Sequence, residues 1–244
     1  MSYTLAFIVD AVTLRLGLAS SLRIGAVAIV WGFARMWSVA LSVVICLLIY
    51  RESVVASLKS FLSLSKKIVI YYLAAPLIVY GALALYIVIA LPLGLFDFAA
   101  YIRVIADALR STLPGSVTEE QIMSIATVAA YTQIFLGYVA AITINAFYAL
   151  GEEIGWRGYL YQLLGSRPGL RNTLIIGVLW GLWHSSAILL LGYNYPINRY
   201  LGVALFTLYT TALSYSHLLI TTAASSIIPA SSLHGAINAI WVSL

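Results

Sequence analysis

Apolar residues run along this chain in blocks long enough to cross a bilayer, separated by short polar segments. A spanning helix needs roughly 20 mostly apolar residues. Five blocks come near that length: Ile24 to Tyr50, Ile68 to Phe96, Ile122 to Leu150, Thr173 to Gly192 and Tyr200 to Thr222. A sixth, Ser231 to Leu244, would rise only about 20 Å as a helix against ~30 Å of hydrocarbon. It is expected to span only part of the bilayer, or to belong to a chain cut at its C-terminus. Met1 to Ser20 is apolar but broken by Asp10 and Arg15 and lacks the basic-then-apolar order of a cleaved signal. It reads as an interfacial or partly buried first helix.

The polar segments carry their own patterns. Arg103, Asp107 and Arg110 lie opposite Ile102, Ile105 and Leu109 at helical spacing, which predicts an amphipathic interfacial helix that Pro114 and Gly115 end. Thr118 with Gln121 three residues on is a capping box, and Glu119 and Glu120 sit at the positive end of the next helix dipole. The segment from Arg51 to Lys67 carries Arg51, Lys59, Lys66 and Lys67, and the turn after Leu164 carries Arg167 and Arg171. Both are expected on the cytoplasmic side, with Asp97 to Glu120 on the other.

Composition agrees with burial in lipid. The 244 residues are 63% hydrophobic and 9% charged, against roughly a quarter charged in a soluble domain, and the mean hydropathy is +1.02. The net charge of +5 is not gathered into a basic run with interleaved aromatics, so nucleic acid is excluded as a partner. The single cysteine, Cys46, excludes an intramolecular disulfide and a cysteine-based metal cluster. The expected fold is all-α: one polytopic bundle of about 6–8 membrane helices over residues 1–244. No internal repeat or separate soluble domain is visible.

Ionisable groups within a bilayer are costly unless paired or facing a cavity, so each raises a functional question. They concentrate late: Glu152, Glu153 and Arg157 in Gly-Glu-Glu-Ile-Gly-Trp-Arg-Gly, His184 in Trp-Gly-Leu-Trp-His, and His234 and Asn238 in His-Gly-Ala-Ile-Asn. Glu153 and Arg157, four apart, are placed to form an ion pair. Glu152 is rotated about 100° from Glu153 and left free to act as a general base. Taken alone, the dipeptide reads first as a helix-end salt bridge. His184 lies halfway along its span with Trp180 one turn earlier on the same face; it serves either an interhelical hydrogen bond or catalysis. His234 and Asn238 project together and can both donate to a developing oxyanion, although a polar packing contact explains them as simply. Asn145, two turns before Glu152, is a candidate to support it. His217 has no such neighbour and reads as structural. Gly151 with Gly155, and Gly177 with Gly181, have the spacing that lets membrane helices approach closely.

The ordered set Glu-Glu-x-x-x-Arg, aromatic-x-x-x-His and His-x-x-x-Asn on membrane helices resembles the CPBP family: CAAX prenyl proteases and bacteriocin-processing proteins, also called Abi-type membrane proteases. The likeness covers residues 145–241. It implies an intramembrane endopeptidase in which Glu152, aided by His184, activates water. His234 and Asn238 would hold the oxyanion, and Glu153 and Arg157 would shape the site. Trp180 stands where phenylalanine is usual, and the chain ends six residues after Asn238. The substrate implied is a peptide or protein at the membrane, with or without a prenyl group, and the site is expected to open to the cytoplasm. Other classes remain: a non-enzymatic immunity or scaffold protein of the same fold, or a transporter using Glu152 and the histidines as an ion path. Glu152, His184 and His234 could also ligate zinc with one position open. The resemblance favours a site with no metal or other cofactor.

Overall fold

The computed structural model describes residues 1–19 and 26–241, and every regular element among them is helical. Ile24, where the first span was expected to begin, and Val242 to Leu244, the end of the last, lie outside the described residues, as does Ser20. In chain order the helices are α1 (Ser2–Arg15), α2 (Ala26–Ile49), α3 (Val54–Phe61), α4 (Lys66–Ala90), α5 (Phe98–Thr112) and α6 (Glu119–Ala141). Next comes α7, which runs as Ile144–Glu153, widens into π-helical turns over Ile154–Leu160 and closes with Tyr161–Leu163. Then follow α8 (Leu170–Leu191), α9 (Arg199–Ala224) and α10 (Ile228–Trp241). Five of them, α2, α4, α6, α8 and α9, are long and apolar enough to cross a membrane.

Local chemistry sets several of these boundaries. Thr118 and Gln121 form the expected capping box at the start of α6. The amphipathic α5 turns Ile102, Ile105 and Leu109 onto Ile122 and Ala126 of α6, so its apolar face meets protein. Arg110 at its end binds both Asp107 and Glu119. The second span stops at Ala90, short of Phe96, because Pro92 and then Gly94, at φ 67°, turn the chain.

The third span differs more. One helix was expected from Ile122 to Leu150, but the chain breaks after Ala141, and Glu152 belongs to a separate helix. Thr143 bonds back to the Val139 carbonyl at 2.6 Å, and the Tyr72 hydroxyl donates to the Ile142 carbonyl at 2.6 Å. Irregular backbone survives at membrane depth only where protein supplies such partners. The break also admits α10: a Cβ on Gly235 would lie 2.5 Å from the Ala141 carbonyl oxygen.

The middle of α7 and most of α10 are enclosed by neighbouring helices: residues 151–158 and 231–237 are all buried, whereas Ile144, Phe147 and Leu163 at the ends of α7 are exposed. Glycines set the close approaches. A Cβ on Gly155 would strike Val39 at 2.2 Å, and Cβ atoms on Gly177 and Gly181 would lie 2.4 and 2.5 Å from the Cα atoms of Thr211 and Thr207 on α9. The paired glycines noted in the sequence are thus contact points. At one end of the bundle Gln162 meets Ser60, and Ile227 N–H donates to the Phe61 carbonyl at 3.0 Å. That end carries Arg51, Lys59 and the turn with Arg167. The 22 residues of α8 carry the chain from there to the other end, about 33 Å away.

Candidate active site

Glu152 and Glu153 lie mid-way along α7, 2% and 0% exposed, rather than at the end of a span. Glu152 Oε2 accepts the indole N–H of Trp180 at 2.5 Å. Glu153 Oε1 accepts from Arg157 Nη1 at 3.1 Å and faces His234 Nδ1 at 2.8 Å. Arg157 in turn lies over the Trp180 ring, 4.2 Å from its centroid. The divergence of adjacent helical positions therefore appears as expected, with Glu152 at the indole N–H of Trp180 and Glu153 paired with the Arg157 that covers the ring. The contact between Glu153 and His234 was not expected.

Four residues separated widely in sequence, Glu152, His184, His234 and Asn238, line one cavity of about 90 Å³ together with Trp180 and Arg35. The ring of Trp180 touches three imidazoles: His184, His217 and His234 at centroid separations of 6.2, 5.5 and 5.2 Å. His184 is further held between Trp183 at 4.7 Å and Phe206 at 4.5 Å.

The hydrogen bonds assign the tautomers. His184 Nδ1 lies 2.9 Å from the Trp180 carbonyl and His234 Nδ1 lies 2.8 Å from a carboxylate, so each Nδ1 carries the proton. The neutral rings then have a lone pair, not a donor, at Nε2. The expected role of His234 as an oxyanion donor consequently requires the imidazolium, whereas the Asn238 amide can donate as it stands.

Asn145 lies in the first turn of the helix that carries Glu152. Its amide donates to the Gly235 carbonyl at 3.2 Å, which ties the first turn of α7 to the helix bearing His234 and Asn238. His217 is more than a lone packing residue: it is fully buried within 5.9 Å of the His234 ring. A signal for it existed in the polar stripe Thr210, Ser214, His217 and Thr221 on one face of α9, all of them buried. Arg35 and Asp10 were also missed, each a single charge in an apolar run; they form a buried pair at 3.1 Å. The metal candidates differ from the expected set. Glu153, His217 and His234 offer ligand atoms within 4.8 Å of one another, but Arg157 occupies the same Glu153 carboxylate and brings positive charge to the spot.

The exposed residue in the cavity wall is Asn194, in the loop from α8 to α9. That loop lies at the end opposite Arg51, Lys59 and Arg167. A mouth at Asn194 would lie on the side away from those basic loops.

Fold and cluster together define a class: a multi-pass helical membrane protein with a carboxylate–imidazole site enclosed in the bundle. Comparison with known proteins narrows it. Residues 132–240, which hold Glu152, His184, His234 and Asn238, match the family model Type II CAAX prenyl endopeptidase Rce1-like. A 48-residue stretch is 38% identical to CAAX prenyl protease 2 of Methanococcus maripaludis, covering 19% of this chain and 18% of that protein. The chain thus aligns with less than a fifth of the curated relative's length. No solved structure matches. These matches bear out the resemblance to the CPBP family that the three motifs carry.

Proposed function

We propose that this protein is an intramembrane endopeptidase of the cell membrane that hydrolyses a peptide bond in a prenylated, membrane-associated protein or peptide, without a metal or other cofactor. The observation that carries the proposal is the convergence of Glu152, His184, His234 and Asn238 on one cavity within the bundle. Water held between the Glu152 carboxylate and His184 Nε2 gives its proton to Glu152 as it attacks the scissile carbonyl. The Asn238 amide donates to the oxyanion, joined by Nε2–H of His234 in its imidazolium form beside Glu153. Collapse of the tetrahedral intermediate breaks the C–N bond, and Glu152 returns its proton to the leaving amine. Glu153 and Arg157 fix His234 and Trp180, and Trp180 fixes Glu152.

The test is cleavage of an S-farnesylated Cys-Val-Ile-Ala peptide by the purified protein in nanodiscs, before and after exhaustive chelation. Release of the tripeptide at an undiminished rate is expected. Stoichiometric zinc lost together with activity would move Glu153, His217 and His234 into ligand roles.

A mouth toward the cytoplasm belongs to the same proposal, since the resembling proteases process prenylated substrates there. It reverses the orientation drawn from the basic loops. Lys and Arg are the residues that orient a membrane protein, and the mouth end holds Arg15, Arg103, Arg110 and Arg199 against Arg51, Lys59, Lys66, Lys67, Arg167 and Arg171 at the other. The imbalance is small. In a Cys46→Ser background, Asn194→Cys should resist an impermeant maleimide in intact cells and react after lysis. Labelling of intact cells would place the mouth outside.

A further inference from the structure

Arg35 is an arginine with no place in the water-activating machinery, yet it is 3% exposed and lines the cavity. Burying a guanidinium is costly unless it is paired and hydrogen-bonded. Asp10 of α1 provides that pairing from behind: its oxygens accept Arg35 Nε at 3.2 and 3.1 Å, Trp31 Nε1 at 2.9 Å and Ser186 Oγ at 2.6 Å. Arg35 Nη2 donates to the Trp183 carbonyl at 2.8 Å, and its plane lies 3.9 Å from the Trp183 ring centroid. Trp183 in turn touches His184. The guanidinium is therefore locked one ring away from the site, with its Nε and Nη2 edges occupied. Nη1 makes no hydrogen bond among the described residues.

Arg35 is also the only Lys or Arg among the described residues lining the cavity. An anionic group entering beside the Glu152 carboxylate meets like charge, and Arg35 is the fixed cation that offsets it. The peptide group that suits a single fixed guanidinium edge is a carboxylate, and the one that every peptide chain carries at a defined distance from its end is the terminal one. Resting on the endopeptidase reading above, we propose that Arg35 binds the free C-terminal carboxylate of the substrate, so that the enzyme measures its cut from the chain end. Asp10 acts as the positioning residue that holds Arg35.

The experiment is a binding titration, separate from turnover. S-farnesylated Cys-Val-Ile-Ala, as free acid and as C-terminal amide, is titrated into the Glu152→Gln protein in nanodiscs and followed by tryptophan fluorescence. The acid should bind about 10–100-fold more tightly than the amide, as loss of a charge-assisted hydrogen bond predicts. Adding Arg35→Gln should bring acid and amide to the same affinity; Arg35→Lys, which keeps the charge against Asp10, should retain part of the preference. Equal binding of acid and amide by the Arg35 protein overturns the assignment, and that comparison needs no variant at position 35. A preference that survives Arg35→Gln overturns it too. So does an amidated peptide ending in aspartate that binds as well as the free acid, because a side-chain carboxylate would then suffice. If unaltered enzyme cleaves acid and amide alike, the protease function stands while the role of Arg35 falls; if neither peptide binds or is cleaved, both fall together.

Discussion

Glu152→Gln should lower peptide cleavage by about 10²–10⁴-fold, the range for loss of a general base, while leaving the bundle folded. Glutamine keeps the shape of the side chain and an oxygen to accept the Trp180 indole N–H, which approaches Glu152 Oε2 at 2.5 Å. What it loses is the ability to take a proton from water. Because Glu152 has no ion-pair partner among the described residues, removing its charge leaves no opposite charge uncompensated, and the melting temperature should hold. Cleavage of the farnesylated peptide and thermal unfolding in the same nanodisc preparation give the two readouts. Residual activity within a few-fold of the unaltered enzyme would sink the assignment of Glu152 as the base.

Glu153→Gln should fail differently, in stability as well as in rate. Arg157 is 1% exposed, and removing one partner of a buried ion pair costs on the order of 3–5 kcal/mol because the other charge is stranded. Glu153 also fixes His234 through Nδ1 at 2.8 Å. With the carboxylate gone that nitrogen no longer has to carry the proton, and a wrong tautomer in a carboxylate–histidine dyad costs up to about 10⁴-fold. The two effects separate in a double variant. Glu153→Gln with Arg157→Met removes both charges and should recover most of the melting temperature, while activity stays low. Recovery of activity together with stability would reduce Glu153 to a structural partner of Arg157.

That double role shows where sequence reasoning stops. The pairing of Glu153 with Arg157 and the divergence of Glu152 follow from helical spacing, since residues four apart face each other and residues one apart do not. The bond to His234 joins positions 81 residues apart, and no local periodicity carries it. Asn145 makes the same point from the other side. Its seven-residue spacing places it two turns before Glu152 on the same helix, but the Gly235 carbonyl that its amide binds lies 90 residues on and has no local signature.

The sequence by itself determined the helical membrane character, the existence of five long spans and the bounds of three of them within a few residues, the capping of α6 and the motif residues. Each of these depends on composition or on contacts within about one turn of helix. Only the tertiary structure decided that the middle of α7 and most of α10 lie enclosed, that Trp180 touches both Glu152 and Arg157, and that His217 and Arg35 join the site. Those features depend on which helix faces meet. Apolar blocks look alike from every side in sequence, and only packing, through glycines small enough for close approach and buried charges that must find partners, singles out one arrangement.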